Sequence, residues 1–194
     1  MVIKVITPPE DEPLTLDEVK SQLNIVDTDK DALLQMYLTA ATEAVDHLTN
    51  RVFVQRTLEL ILDSFPCSEI ELPIGPVLSI VNVRYDDEDG VEQTVNSSDF
   101  YLDATSTPSW VLPNSDFSWP ATLEAVNSVR VRYIAGYEPS SGPDPAGNVP
   151  NRAKLCILFL IGTWFENRES VSQETLQKVP DMLDALASQL KVYS

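Results

Sequence analysis

Two blocks of helical periodicity stand near opposite ends of this 194-residue chain. Roughly a hundred residues that read as short strands lie between them, an order that severely restricts the fold. The later block opens at Val149-Pro150, passes through the apolar run 155–161 and ends in WFENRE at 164–169. The earlier one precedes residue 50. Neither block can bury its apolar side alone, so the two must meet in space. The expectation is an α+β fold, with a helical bundle made from the N- and C-terminal segments and an antiparallel β-rich region inserted in it. The corresponding division is 1–51 for the arm and first helices, 52–138 for the β-rich insertion, 139–148 for a loop or hinge, and 149–194 for the closing helices.

Local signals fill in this outline. Pro8, Pro9 and Pro13 keep the opening residues extended and non-helical. Thr15 with Glu18 forms a capping box for a short helix from Leu16 to about Leu23. Asp27, Asp29 and Asp31 suit the positive end of a second, longer helix over 29–50. Leu33, Tyr37, Ala40, Ala41, Ala44 and Leu48 recur on it at helical spacing and predict its buried face. From residue 52 the period changes to two. Leu58, Leu60 and Leu62 alternate with Thr57, Glu59, Ile61 and Asp63, the pattern of a strand with one buried side.

Further strands are predicted at 70–72, 77–85, 91–95, 100–102, 110–112 and 128–134, with Asp89-Gly90 turning a hairpin between the second and third of these. So many short strands imply a compact antiparallel sheet or small sandwich. The stretch PSSGPDPAGN, 139–148, reads as a solvated loop. Pro150 suits the first turn of the next helix, whose inward residues are Ala153, Ile157, Leu160, Ile161 and Trp164. Pro180 starts a last short helix, with Met182, Leu183, Leu186 and Leu190 on its apolar side and the tail Lys191–Ser194 beyond.

Catalytic or metal chemistry finds little support in these residues. His47 is the single histidine, and no serine or cysteine motif supplies a nucleophile for it to activate. The run Asp86-Asp87-Glu88-Asp89-Gly90 lacks the ligand spacing and distal glutamate of a calcium loop, so a solvated hairpin tip accounts for it. Helix-cap electrostatics accounts for Asp27, Asp29 and Asp31 in the same way. There is no glycine-rich phosphate loop and no zinc ligand set. Cys67 and Cys156 are expected to be buried free thiols of a protein made in the cytoplasm, with no secretory signal ahead of them. No catalytic residue, metal ligand or cofactor is predicted. Trp110, Trp119 and Trp164, with Tyr101, Tyr133 and Tyr137, read as core packing by default and as interface aromatics otherwise.

Charge narrows the partners. Thirteen basic residues against 30 acidic ones give a formal net charge of −17. The basic residues are scattered, which argues against binding to nucleic acid or an anionic membrane. Solubility is one reading of this acidity, and a surface that repels nucleic acid or docks on a basic partner is the other. The longest apolar stretch, 153–164, carries Lys154 and falls short of the ~18 residues that would span a bilayer.

The wording of several segments adds a resemblance. LTLDEVKSQLNI (14–25), AATEAVDHLTNR (40–51), TLELILDSFP (57–66), IELPIGPVLSIVNVRYDDEDG (70–90), NSVRVRYIAGY (127–137) and VPNRAKLCILFLIGTWFENRES (149–170) follow one another in an order similar to that of tailed-bacteriophage head–tail connector proteins. The similarity is to longer members of that adaptor, or head-completion, family. It implies a structural virion protein at the head–tail junction with no enzymatic role. Such a protein would form a ring, usually of twelve copies, beneath the portal. It would extend the DNA channel and offer a platform to a downstream neck or tail-completion protein. DNA would pass through without specific binding. The apolar side of the last helix either returns to its own bundle or, as the resemblance implies, reaches with the tail to the portal or a neighbouring subunit through Met182, Leu183, Leu186, Leu190, Lys191 and Tyr193. The competing reading is a small acidic enzyme or carbohydrate-binding module, with Trp110, Trp119 and Tyr101 forming a shallow aromatic site in the β region.

Overall fold

The computed structural model describes residues 1–139, 148–167 and 187–191. It is an α+β protein with three α-helices and eight strands among those residues, and it divides into two compact units. One unit comprises Met1–Glu10 with Gln55–Glu138, and the other Asp11–Val54 with Pro139–Lys191.

The first unit is antiparallel β-structure. Its strands are β1 (Val2–Thr7), β2 (Arg56–Leu62), β3 (Ile70–Leu72), β4 (Val77–Asp86), β5 (Glu92–Thr94), β6 (Phe100–Asp103), β7 (Ser109–Pro113) and β8 (Val129–Ala135). Five of them form a sheet in the order β1-β2-β8-β4-β5, and the other three a sheet in the order β3-β7-β6. In the larger sheet Leu58 lies opposite Tyr133, Leu60 opposite Val131, and Val131 opposite Val83. Partners across a ladder share a face, so these side chains form one apolar side, and all of them are buried. The predicted alternation along β2 therefore holds for Leu58 and Leu60. It is incomplete, because Glu59 and Ile61 on the opposite side are buried as well. Every strand expected from residue 57 onward is present within a few residues of its predicted limits.

One strand escaped the reading. Residues before Leu14 looked like an extended arm, yet Val2–Thr7 is hydrogen-bonded along β2, with Lys4 opposite Glu59 and Val5 opposite Leu58. The prolines at 8 and 9 end this strand rather than prevent it.

The second unit contains α1 (Leu16–Gln22), α2 (Asp31–Thr49) and α3 (Asn151–Glu166), each in contact with the other two. The capping box is formed as expected: the Glu18 backbone N–H donates to Thr15 Oγ1 at 3.2 Å, and the Thr15 N–H donates to the Glu18 carboxylate at 2.7 Å. Asp31 sits in the first turn of α2, where its carboxylate accepts from Lys20 Nζ on α1 at 2.8 Å. At the other end Asn50 takes the left-handed conformation with φ 52°, a common helix stop.

The buried stripe of α2 differs from the expected one by about one residue. Leu34, Leu38, Ala41, Thr42, Val45, Asp46 and Thr49 are buried, while Leu33, Tyr37 and Ala44 are half-buried and Leu48 is 39% exposed. The polar members explain the shift. Thr42 Oγ1 donates to the Leu38 carbonyl and Thr49 Oγ1 to that of Val45, both at 2.8 Å. A hydroxyl satisfied by its own helix can be buried at little cost, so two threonines extend the stripe where the sequence looked polar. On α3, Ala153, Ile157, Leu160 and Ile161 are buried as predicted, along with Cys156. Trp164 is only half-buried and meets Tyr37 edge-on, with ring centroids 6.0 Å apart.

Candidate assembly surfaces

The outward side of the five-stranded sheet is a band of opposite charges. Arg132 donates from Nε and Nη2 to Glu59 Oε1 at 3.1 and 2.7 Å, and Arg84 Nη2 approaches the same oxygen at 3.6 Å. Farther along, Arg84 pairs with Glu92 at 3.0 Å and Arg130 with Glu92 at 3.1 Å, while Arg130 also bonds Asp86. Registry explains the grouping. Glu59 is opposite Arg132, Arg84 opposite Arg130, and Asp86 opposite Glu92, so strands distant in sequence deliver alternating charges to one face. These guanidinium groups leave Glu59 only 7% exposed. The alternation along 57–63 sets Glu59 on the side opposite its leucines, but one strand read alone has no means of pairing it with Arg132 or Arg84. The Nε atoms of Arg84 and Arg130 and Oδ1 of Asn82 are buried without a hydrogen-bond partner.

At the tip of the β4–β5 hairpin, Asp87 uses its carboxylate locally. It accepts from the Val91 N–H at 2.9 Å, the Gln93 side chain at 2.8 Å and the Asp89 N–H at 3.1 Å. Those bonds, led by that of Val91, hold its carboxyl below the ordinary aspartate range. The acidic run thus closes a hairpin with its own donors. Among the described residues no group of three or more His, Cys, Asp or Glu side chains is placed to hold a metal ion.

The aromatic residues of the β unit divide between two sides of the smaller sheet. Trp119 stacks on Phe65 with centroids 4.9 Å apart and planes 5° apart, and its Nε1 donates to the Ser68 carbonyl at 2.6 Å. Phe117 meets it edge-on, Tyr85 meets Phe65, and Phe100 lies 6.5 Å from Trp119. Along β6 successive side chains point to opposite faces, so Tyr101 lies on the side away from Phe100. Trp110 shares the side of Tyr101, because β7 places Leu112 opposite Tyr101 and Trp110 opposite Asp103. Trp119 is therefore separated from Tyr101 and Trp110 by the sheet, and the three do not form one binding platform. A shallow pocket of about 330 Å³ beside Trp119 is lined by Phe65, Pro66, Cys67, Phe117 and Pro120. Cys67 is exposed there, contrary to the expectation of two buried thiols, because it sits in the loop after β2 rather than in a strand.

Cys156 is the buried thiol, and burial pushes it up, away from the reactive thiolate. Burial also raises the phenol of Tyr133, whose hydroxyl has no partner. His47 is exposed in the last turn of α2, where a basic side chain faces the negative helix end. In the helical unit a groove of about 560 Å³ beside α1 and α3 is lined by Leu14, Asp17, Glu18, Lys154, Leu155 and Leu158. No helix among the described residues is long and apolar enough to cross a membrane.

Of the six residues predicted for the portal or subunit contact, Leu190 and Lys191 are described. Leu190 is 8% exposed, its carbonyl accepts from Arg51 Nε at 2.5 Å, and Lys191 is exposed. Met182, Leu183, Leu186 and Tyr193 lie outside the described residues, as does most of the loop at 139–148.

Comparison with known proteins adds a likeness to this geometry. Residues 13–99 match the family described as Phage gp6-like head-tail connector protein, a structural rather than an enzymatic class. The match bears out the resemblance seen in the sequence and takes in α1, α2 and the strands β2 to β5. A comparison with curated proteins finds no match. Among solved structures, a chain from the neck of an empty gene transfer agent particle, computed with C6 symmetry, aligns with a TM-score of 0.80 at 21% identity. A chain from the virion of the native gene transfer agent particle does so at 0.80 and 20%, and one from the native particle's neck, computed with C12 symmetry, at 0.76 and 20%. All three alignments cover 100% of this chain and 97% of the other, and at these identities they are likenesses of fold.

Proposed function

We propose that this chain, a match to the head-tail connectors through residues 13–99, is a structural component of a tailed-phage-like virion. It forms a ring of twelve copies beneath the portal, extends the DNA channel and connects the head to the neck or tail. The observation that carries this reading is the family match, which runs across the helical start and into the β region. The full-length fold likeness to neck chains of particles treated with sixfold and twelvefold symmetry supports the ring. The charge of the chain agrees with a conduit, since a wall of net −17 per copy has no basic stripe to hold a passing duplex.

In this reading the portal and a downstream neck or tail-completion protein are its partners, and synthesis is in the host cytoplasm. The portal or neighbouring-subunit contact is assigned to the C-terminal segment with Met182, Leu183, Leu186, Leu190, Lys191 and Tyr193. Native mass spectrometry of the purified chain, alone and mixed with the portal of its own particle, tests the assembly. The expected result is a twelve-copy ring bound to portal. A chain that stays monomeric and passes through a sizing column apart from portal would overturn the reading. Removing residues 180–194 tests the contact: the truncated chain should stay folded and fail to co-sediment with portal.

A further inference from the structure

Among the described residues the five-stranded sheet is open, and its two edges differ in character. β1 ends it on one side and β5 on the other. An edge strand presents a row of unpaired backbone donors and acceptors, which proteins usually blunt with charge, proline or a bulge. β1 has Lys4, and its register breaks between Val5 and Thr7. Yet Val2, Val5 and Ile6 remain 51%, 57% and 38% exposed, three β-branched apolar side chains on a six-residue edge. β5 is exposed along its whole length, with Val91 exposed just before it and the acidic turn Asp87-Glu88-Asp89 preceding that.

Charge decides which edge meets which. Ladder registry puts Lys4, Glu59, Arg132, Arg84 and Glu92 on one face, so the outward side reads basic at β1, acidic at β2, basic at β8 and β4, and acidic at β5. Another β1 placed beside β5 continues that alternation, with Lys4 of one copy on the same face as Glu92 of the next. Pairing β1 with β1 brings lysine towards lysine, and pairing β5 with β5 brings acid towards acid; both are unfavourable across a ladder. A contact between two different edges is head-to-tail and can close into a ring, whereas a like-edge contact stops at a dimer.

We propose that β1 of one copy adds to the β5 edge of the next, so that the five-stranded sheets of successive copies join into one belt. This inference rests on the ring reading above and assigns its subunit contact in the β unit. Two sets of variants test it in the full chain with portal. Val2→Glu, Val5→Glu and Ile6→Glu together set acid against the acidic β5 edge at exposed positions, leaving the isolated fold intact by thermal unfolding, and should raise the concentration needed for ring assembly at least about tenfold. In a Cys67→Ser background, Val5→Cys with Gln93→Cys should give on oxidation a ladder of covalent multimers, and neither cysteine alone should cross-link. Glutamate variants that assemble like the unaltered chain would overturn the edge pairing and leave the ring reading standing. Covalent dimers from Val5→Cys alone would show β1 meeting β1 and overturn it as well. An unaltered chain that never exceeds a monomer, with or without portal, would overturn both.

Discussion

Glu59 and Asp87 are acidic residues of the same β unit in very different surroundings. Glu59 accepts two hydrogen bonds from Arg132 and lies close to Arg84, whose side chains are 28% and 26% exposed. Replacing it by alanine leaves the two guanidinium groups facing each other without their shared anion. The expected loss is about 1–3 kcal/mol, the scale of a charge-assisted hydrogen bond moderated by the solvent the arginines still see. It should appear as a lower urea midpoint with an unchanged slope, and an unshifted midpoint would remove the cluster from the account of stability. Asp87 is solvated, and its contribution is a matter of pH. Its folded pKa lies below the ordinary value of 3.8, first because the Val91 N–H and then because the Gln93 side chain favour the carboxylate. A depressed pKa stabilises the fold above the unfolded value, and that contribution is lost as pH falls through the lower folded value. The Val91 amide resonance should therefore titrate with a midpoint below 3.8, and Asp87→Asn should abolish that titration. A midpoint at or above the ordinary value would contradict the hairpin hydrogen bonds.

The elements show which parts of a sequence reveal their structure and which do not. Local chemistry was legible: Thr15 with Glu18 announced α1, Asp89-Gly90 the hairpin, and period-two runs most of the strands. Long-range chemistry was not. β1 carries no signal of its own partner, and its proximity to prolines disguised it, although its pairing with β2 is regular from Val2 to Val5. The candidate surfaces were least legible of all, because the Glu59–Arg132 pair joins residues 73 positions apart and only registry reveals it. On α2 the rotation of the buried stripe came from ranking threonine as polar and leucine as apolar, without asking where a hydroxyl can bond. That rotation has a direct test. Leu38→Ala should cost about 2–5 kcal/mol as a large-to-small change in a closed core, whereas Leu48→Ala should fall within roughly 1 kcal/mol. Equal losses at the two positions would restore the stripe read from the sequence. Trp164, half-buried, should cost less on truncation than the ~3–5 kcal/mol of a fully enclosed tryptophan.

At the scale of the molecule, the sign of the charge is the property with the widest reach. A protein that contacts several phosphates needs a concentrated basic patch, because counterion release supplies most of non-specific DNA affinity. Here the basic residues best placed to form one, Arg84, Arg130 and Arg132, are held in the Glu59–Asp86–Glu92 band and each faces a carboxylate. A duplex approaching that face meets neutralised guanidinium groups on a chain of net −17. The isolated protein should accordingly show no measurable duplex affinity by fluorescence anisotropy at physiological salt, and lowering the salt should not produce it, since weaker screening lengthens the range of repulsion. Glu59→Gln with Glu92→Gln removes two negative charges from the band and frees part of its arginine charge. If the band is what masks the arginines, weak binding should emerge in that variant at low salt and vanish as salt is raised. Micromolar binding by the unaltered chain at physiological salt would contradict the neutralised band, and with it the view of this surface as a wall past which DNA slides.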